Sequence, residues 1–194
     1  MNQKTIYRIR LVYALFFSFR FIFHFLIYLK YKSIVDSDLA RCDSGGKSLF
    51  YQLTFHKDFR NLFYKRIGWW GIILRILVPQ QKDLSFNYNM PLGYGCKLEH
   101  AYTTHLSAKS IGNNFTCFHL VTVGDSCYGE KSKHGTPVIG NNVTLFCNSS
   151  VLGDITIGNN VIVAAGAVVV NSVPDNCIVG GTCQNYKGTS TFRN

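Results

Sequence analysis

From Ile139 to Pro174 the chain reads in blocks of six: IGNNVT, LFCNSS, VLGDIT, IGNNVI, VAAGAV, VVNSVP. The first place of every block is apolar (Ile139, Leu145, Val151, Ile157, Val163, Val169). The fifth is small or apolar (Val143, Ser149, Ile155, Val161, Ala167, Val173). A helix repeats every 3.6 residues and a strand every two, so an unbroken period of six is neither. It predicts short strands meeting at corners, with three blocks closing one triangular turn of a solenoid. Successive turns then stack at the ordinary strand separation of about 4.8 Å.

The same pattern extends upstream. It starts at Leu92 with LGYGCK, slips by one residue between Leu98 and Ile111, and resumes as IGNNFT and CFHLVT. Residues 125–138, DSCYGEKSKHGTPV, break it and predict a loop projecting from a rigid coil, the kind of segment that carries function. Asn113-Asn114, Asn141-Asn142 and Asn159-Asn160 suit the left-handed backbone of tight corners. One more apolar rung, Cys177-Ile178-Val179, precedes a polar tail. The fold class is therefore mainly β, a parallel β-solenoid with an N-terminal α-helical region. The expected division is 1–33, 34–90 (a helical cap), 91–181 (the solenoid) and 182–194 (a tail).

Leu11–Leu29 is apolar and 19 residues long, the length of a membrane span. Arg20 and His24 interrupt it, on one face if the helix is continuous, and Arg8, Arg10, Lys30 and Lys32 flank it. An arginine at mid-span is costly, so the expectation is a helix at the membrane surface or buried against a partner. No small-residue cleavage site follows, so a secretory signal is not expected. In 34–82, Phe59, Leu62, Phe63 and Ile67 recur at helical spacing with charges opposite, and Trp69–Val78 continues as an apolar helix to Pro79. The net charge is +10, crowded into the first third. Such a field attracts anions such as acidic lipid or a phosphorylated cofactor; no nucleic-acid partner is expected. Seven cysteines without a C-x-x-C pair read as reduced packing residues of a cytoplasmic protein, with no metal site and no disulfide framework.

The I-G-N-N-V corners, V-T-V-G at Val121–Gly124, G-D-I-T-I-G-N-N-V at Gly153–Val161 and A-G-A-V-V-V-x-x-V-P-D-N at Ala165–Asn176 resemble the hexapeptide-repeat acyltransferases, whose fold is a left-handed parallel β-helix. G-x-G-x-x-L-x-H at Gly93–His100 and D-F-R-N-L-F-Y-x-R at Asp58–Arg66 resemble the serine acetyltransferase branch, which includes O-acetyltransferases of bacterial surface polysaccharides. The resemblance covers about residues 36–181. It implies a homotrimer, acetyl-CoA along the groove between neighbouring solenoids, and direct transfer of acetyl to a hydroxyl of serine or of a glycan sugar. An alcohol needs its proton removed to attack, and histidine is the residue type suited to that task at neutral pH. The resemblance places the catalytic base at His100, with Glu99 beside it, and a substrate contact at His134. It places the cofactor arm at Gly124, Cys147, Ala165 and Gly166, with Lys187 near the CoA phosphates. His105 and His119 read as structural or surface residues. The expected location is cytoplasmic, peripheral on the inner face of the membrane.

The sequence departs from that branch at four places. Serine acetyltransferases carry an Asp fifteen residues before the catalytic histidine; Ser85 stands there, with Asp83 two residues off. Their Arg-His pair before the proline that opens the next coil is replaced by Gly135-Thr136 before Pro137, with His134 displaced. Ile-Gly-Ala-Gly becomes Leu145-Phe146-Cys147-Asn148, which places a large ring at the cofactor groove. The C-terminal G-x-P-A reads Gly181-Thr182-Cys183-Gln184. An arginine fork is the natural carboxylate ligand, so its loss weighs against free serine. Two other functions fit the same fold. One is a non-catalytic trimeric scaffold. The other is a zinc lyase like the gamma-class carbonic anhydrases, for which His100-x4-His105 has suitable spacing but a third ligand is not found upstream.

Overall fold

A computed structural model describes residues 3–16, 18–42, 48–126 and 134–181. The chain forms two compact units, Met1–Lys82 and Asp83–Asn194. The first is helical: α1 (Gln3–Phe16), a 3-10 turn (Ser18–Phe21), α2 (Ile22–Lys30), α3 (Lys32–Leu39), α4 (Leu49–Phe55), α5 (Lys57–Ile67) and α6 (Trp69–Leu77). The second is built from thirteen short strands, β1 (Leu84–Phe86) to β13 (Ile178–Val179), among the described residues.

Leu11–Leu29 is not one helix. It is divided between α1, the 3-10 turn and α2. Arg20 is exposed in the turn while His24 is fully buried in α2, so the two do not share a face. The division has a packing reason. Phe21 and His24 turn into the core formed with Leu53, Phe63, Tyr64 and Leu74. At 14 residues α1 is about 21 Å long, short of a hydrocarbon core of about 30 Å. Among the described residues no helix is long and apolar enough to cross a membrane.

In α5 the predicted stripe, Phe59, Leu62, Phe63 and Ile67, is buried. The other face is not simply solvated. Arg60 is buried too, donating from Nε to the Leu53 carbonyl at 2.8 Å and from Nη1 to the Pro79 carbonyl at 2.6 Å. Asn61 pairs with the Gln81 backbone in both directions at 2.8 Å. Arg66 grips Asp38 of α3 with two nitrogens, at 2.8 and 2.9 Å, with both side chains out of solvent. These bonds satisfy groups that would otherwise be costly in an apolar interior. Helix α6 lies close over α5: a Cβ on Gly71 would meet the Tyr64 carbonyl oxygen at 2.5 Å.

His24 sets a pH limit on this unit. The Tyr64 hydroxyl donates to the Val78 carbonyl at 2.7 Å, so the Nε2–H of His24 must donate to the Tyr64 oxygen, 2.9 Å away. Nδ1 is then a buried lone pair with no hydrogen-bond partner among the described residues. Burial, reinforced by the nearby Arg60 charge, lowers the His24 pKa from 6.5 to about 4. The unfolded chain takes up a proton between those values that the folded chain refuses. Stability is full above pH 6.5 and falls as the pH drops toward 4, by about 3 kcal/mol from this group. Urea midpoints followed by tryptophan emission should fall steeply across this window, and His24→Gln should flatten the dependence. An equal slope in the variant would assign the loss to other groups.

The strands of the second unit form three parallel, in-register sheets that wrap one apolar core. Face 1 is β1, β3 (Thr104–Leu106), β6 (Thr122–Gly124), β9 (Ser150–Leu152) and β12 (Val168–Val169). Face 2 is β4 (Ser110–Ile111), β7 (Val138–Ile139) and β10 (Thr156–Ile157), extended by bridges at Leu92 and Val173. Face 3 is β2 (Lys97–Leu98), β5 (Thr116–Cys117), β8 (Thr144–Leu145), β11 (Ile162–Val163) and β13. All six first-place residues of the hexads are buried, as are all the fifth-place residues except the half-buried Val173. Because β1 pairs with β3, the coil begins at Leu84, before the expected start at residue 91.

The Asn-Asn corners join face 2 to face 3. Asn114, Asn142, Asn160 and Asn176 each adopt φ between 55° and 60°. Their side chains hydrogen-bond from coil to coil at 3.0, 2.9 and 2.8 Å. Asn113, Asn141 and Asn159 each accept the backbone N–H of the equivalent residue one coil earlier. The glycine before each pair is required by close approach: a Cβ on Gly112 would meet the Gly140 carbonyl oxygen at 2.6 Å. The Asn side chains thus form a polar ladder on the outside of the corner while the hexad apolar residues fill the inside.

Candidate active site

The corner from face 3 to the next face 1 departs from this regularity. Cys117 to Val123, Leu145 to Val151 and Val163 to Val169 are each six residues apart, but Leu98 to Leu106, which occupy the same register, are eight. The next leg, Leu106 to Ile111, is five residues where Val151 to Ile157 is six. The one-residue slip in the sequence is therefore two residues gained at this corner and one lost after it. His100 stands in the enlarged corner with φ 51°, and Thr103 has φ 50°. A β-branched residue at positive φ is a true outlier, and such strain clusters at functional sites. Asp83 holds the corner: its carboxylate accepts Thr103 N–H at 3.0 Å and its carbonyl accepts Thr104 N–H at 2.9 Å.

The four corners of this edge stack in a column. Leu120 N–H donates to Tyr102 O, Asn148 N–H to His119 O, and Gly166 N–H to Cys147 O, each at 3.0 Å. Down the edge the column reads His100 to Tyr102, then His119, then Cys147, then Ala165-Gly166. At its lower end there is open space: a Cβ added to Gly166 would meet nothing within 4 Å. The imidazole of His100 is exposed and makes no hydrogen bond among the described residues. Glu99 turns outward beside it and pairs with Lys97 at 2.8 Å. Tyr102 lies flat on His119, with centroids 4.8 Å apart and 13° between planes, and the buried Nδ1 of His119 has no hydrogen-bond partner among the described residues. On the face 3 side, Phe118 lies one coil below Glu99 and Phe146 two coils below, and the two rings stack at 4.9 Å and 14°.

The fold thus gathers His100, Glu99, Cys147, Ala165 and Gly166 on one edge. Gly124 and His134 lie on another, where face 1 passes to face 2. There a Cβ on Gly124 would meet open space. His134 is exposed, and Gly135 N–H after it is held by Asp125 at 2.8 Å. Lys131, Lys133 and Lys187 lie outside the described residues. Ser85 does not face His100; its hydroxyl lies 2.7 Å from Nδ1 of His105, its partner in register on face 1. Three residues of the edge were not picked out from the sequence. Asp83 stands in the sequence only as a near match to the aspartate expected before the histidine. Tyr102 has only the irregular spacing of its corner as a signal, while His119, read from the sequence as a structural or surface residue, sits in a corner of regular length and is joined to the edge by its stacking on Tyr102.

A family model described as "Bacterial transferase hexapeptide (six repeats)" matches residues 136–171. The provisionally named colanic acid biosynthesis acetyltransferase WcaB of Escherichia coli (strain K12) is 37% identical over 117 residues, covering 58% of this chain and 70% of that protein. A serine acetyltransferase of Synechococcus elongatus is 35% identical over 133 residues, 68% of this chain and 54% of that protein. Among solved structures, serine acetyltransferase of Neisseria gonorrhoeae superposes with a TM-score of 0.65 at 28% identity, over 81% of this chain and 68% of that one. The coil is accordingly the left-handed parallel β-helix. The chain belongs to the bacterial hexapeptide-repeat transferases and, within them, is an acetyltransferase of the serine acetyltransferase and WcaB type.

Proposed function

We propose that this acetyltransferase takes acetyl from acetyl-CoA and passes it directly to a hydroxyl of a sugar in a surface polysaccharide or its precursor. The observation that carries the reading is the enlarged corner: it presents a free imidazole at the head of a column with open space at its lower end. His100 removes the proton from the acceptor hydroxyl, and the oxygen attacks the thioester carbonyl. As the C–S bond breaks, the imidazolium returns the proton to the leaving sulfur, so an acetyl ester and free CoA are the products. Nothing covalent to the protein is needed when both reactants are held side by side. Cys147, Ala165 and Gly166 leave room for the pantetheine arm, and Glu99 orients the approach to His100. Gly124 and His134, on a different edge of the same prism, complete the site of a neighbouring copy in a trimer.

A sugar is preferred to serine as acceptor for two reasons. Gly135-Thr136 occupies the place of the Arg-His pair whose arginine would hold a carboxylate. The stacked rings of Phe118 and Phe146, one and two coils from His100, offer an apolar ledge, and the apolar face of a sugar ring fits such a surface. Release of CoA from acetyl-CoA, measured with serine and with mono- and oligosaccharide acceptors in parallel, tests this. The expected result is acetyl ester on a sugar acceptor, with serine slower by at least about tenfold. Faster turnover of serine would reverse the acceptor assignment. No turnover and no thermal shift with acetyl-CoA would favour a scaffold.

A further inference from the structure

The helical unit carries the whole net charge of the protein: residues 1–82 hold fourteen Lys and Arg against four Asp, and residues 83–194 hold six of each sign. It also exposes an apolar surface that the fold does not cover. On α6, Trp69, Trp70, Ile73, Ile76 and Leu77 lie on one face and are between 46% and 80% exposed, while Leu74 is buried on the other. On α2, Ile22, Phe23, Leu26 and Leu29 are each more than half exposed, and His24 faces inward. The two helices touch, both packing on Tyr64, so their outer faces adjoin. A contiguous apolar surface of this size on a folded chain marks an interaction site.

We infer that the paired outer faces of α2 and α6 seat the protein on an anionic lipid bilayer. Each helix is nine residues, about 13 Å, and so lies along a bilayer rather than across it. Two tryptophans and the two exposed phenylalanines of α2, Phe23 and Phe25, supply side chains that favour the headgroup boundary. The charges carried by these two helices and the turn before α2 are of one sign. Arg20 precedes α2, Lys30 ends it, Arg75 sits in α6, and all three are exposed. No acidic residue occurs between Met1 and Tyr31 or between Phe59 and Lys82. An acidic headgroup layer complements that rim. A second copy of the same face would set like charges against each other across a two-fold axis, so self-association is disfavoured. Nothing in this surface depends on which hydroxyl accepts acetyl.

Trp69 and Trp70 are the only tryptophans, so intrinsic fluorescence reads this surface directly. The full chain is mixed with vesicles of phosphatidylcholine alone and of phosphatidylcholine with phosphatidylglycerol, and both flotation and tryptophan emission are followed. The expected result is co-flotation and a blue shift with the anionic vesicles, weakened by salt and much reduced with neutral ones. Trp69→Gln with Ile76→Gln, at positions 79% and 80% exposed, should cut vesicle affinity by at least about tenfold while the melting temperature is kept. Arg20→Glu with Arg75→Glu should do the same for anionic vesicles only. Absence of flotation and shift would overturn the inference. So would emission already blue-shifted without lipid, with a mass that falls in the Trp69→Gln variant, because a second copy would then cover the face.

Discussion

His100→Asn is expected to lower kcat for acetyl transfer by about two to four powers of ten while leaving the melting temperature and acetyl-CoA binding close to wild type. Asparagine is the informative replacement. His100 sits at φ 51°, and asparagine already occupies that left-handed conformation at Asn114, Asn142, Asn148, Asn160 and Asn176. The backbone of the corner is therefore undisturbed and only the proton acceptor is lost. His100→Ala should be as inactive but slightly less stable, because alanine tolerates positive φ less well. The exposed imidazole makes no hydrogen bond among the described residues, so little folding energy goes with it. Activity of His100→Asn equal to wild type would move the base elsewhere. His119→Asn and His134→Asn, measured in the same series, would then show which imidazole carries the proton.

The edge that carries this chemistry was only half legible in the sequence. The histidine motif pointed to His100, and the hexad count placed a slip beside it. The count could not tell one added residue from two added and one removed, because only pairing across coils resolves the two legs separately. Asp83 was invisible as a corner anchor for the same reason: it is 20 residues from Thr103 and meets it only through the stacking of coil on coil. Likewise, Gly124 and His134 belong with His100 in the resemblance, yet one chain sets them on different edges.

The hexad region was legible because each rung obeys the same local rule, apolar inside and Asn or Gly at the turn, and every rung repeats it. The helical unit has no such redundancy. Its apolar stripe in α5 was visible, but the groups that fix how the helices meet are buried polar pairs distant in sequence. His24 and Tyr64 are 40 residues apart and Asp38 and Arg66 are 28 apart. A lone Arg in a helical pattern reads as solvated until its partner is known. A continuous apolar run likewise reads as one helix until Phe21 and His24 are seen to turn inward.

Asp38→Ala is expected to be the most damaging substitution in the helical unit, at about 3–5 kcal/mol. The Asp38 and Arg66 side chains are 1% and 3% exposed, and the guanidinium meets the carboxylate with Nε and Nη2 at 2.8 and 2.9 Å. Removing the acid leaves a buried cation without its counterion, which costs far more than the pair itself contributes. Two comparisons separate these quantities. Asp38→Asn keeps a hydrogen-bond acceptor and removes the charge, so it should fall between wild type and Asp38→Ala. Asp38→Leu with Arg66→Met removes both charges and restores apolar packing, so it should recover most of the loss. Both tryptophans lie in α6, so the emission midpoint in urea reports on this unit rather than on the coil. A double variant no more stable than Asp38→Ala would show that the pair is required for packing α3 against α5, and not merely tolerated there.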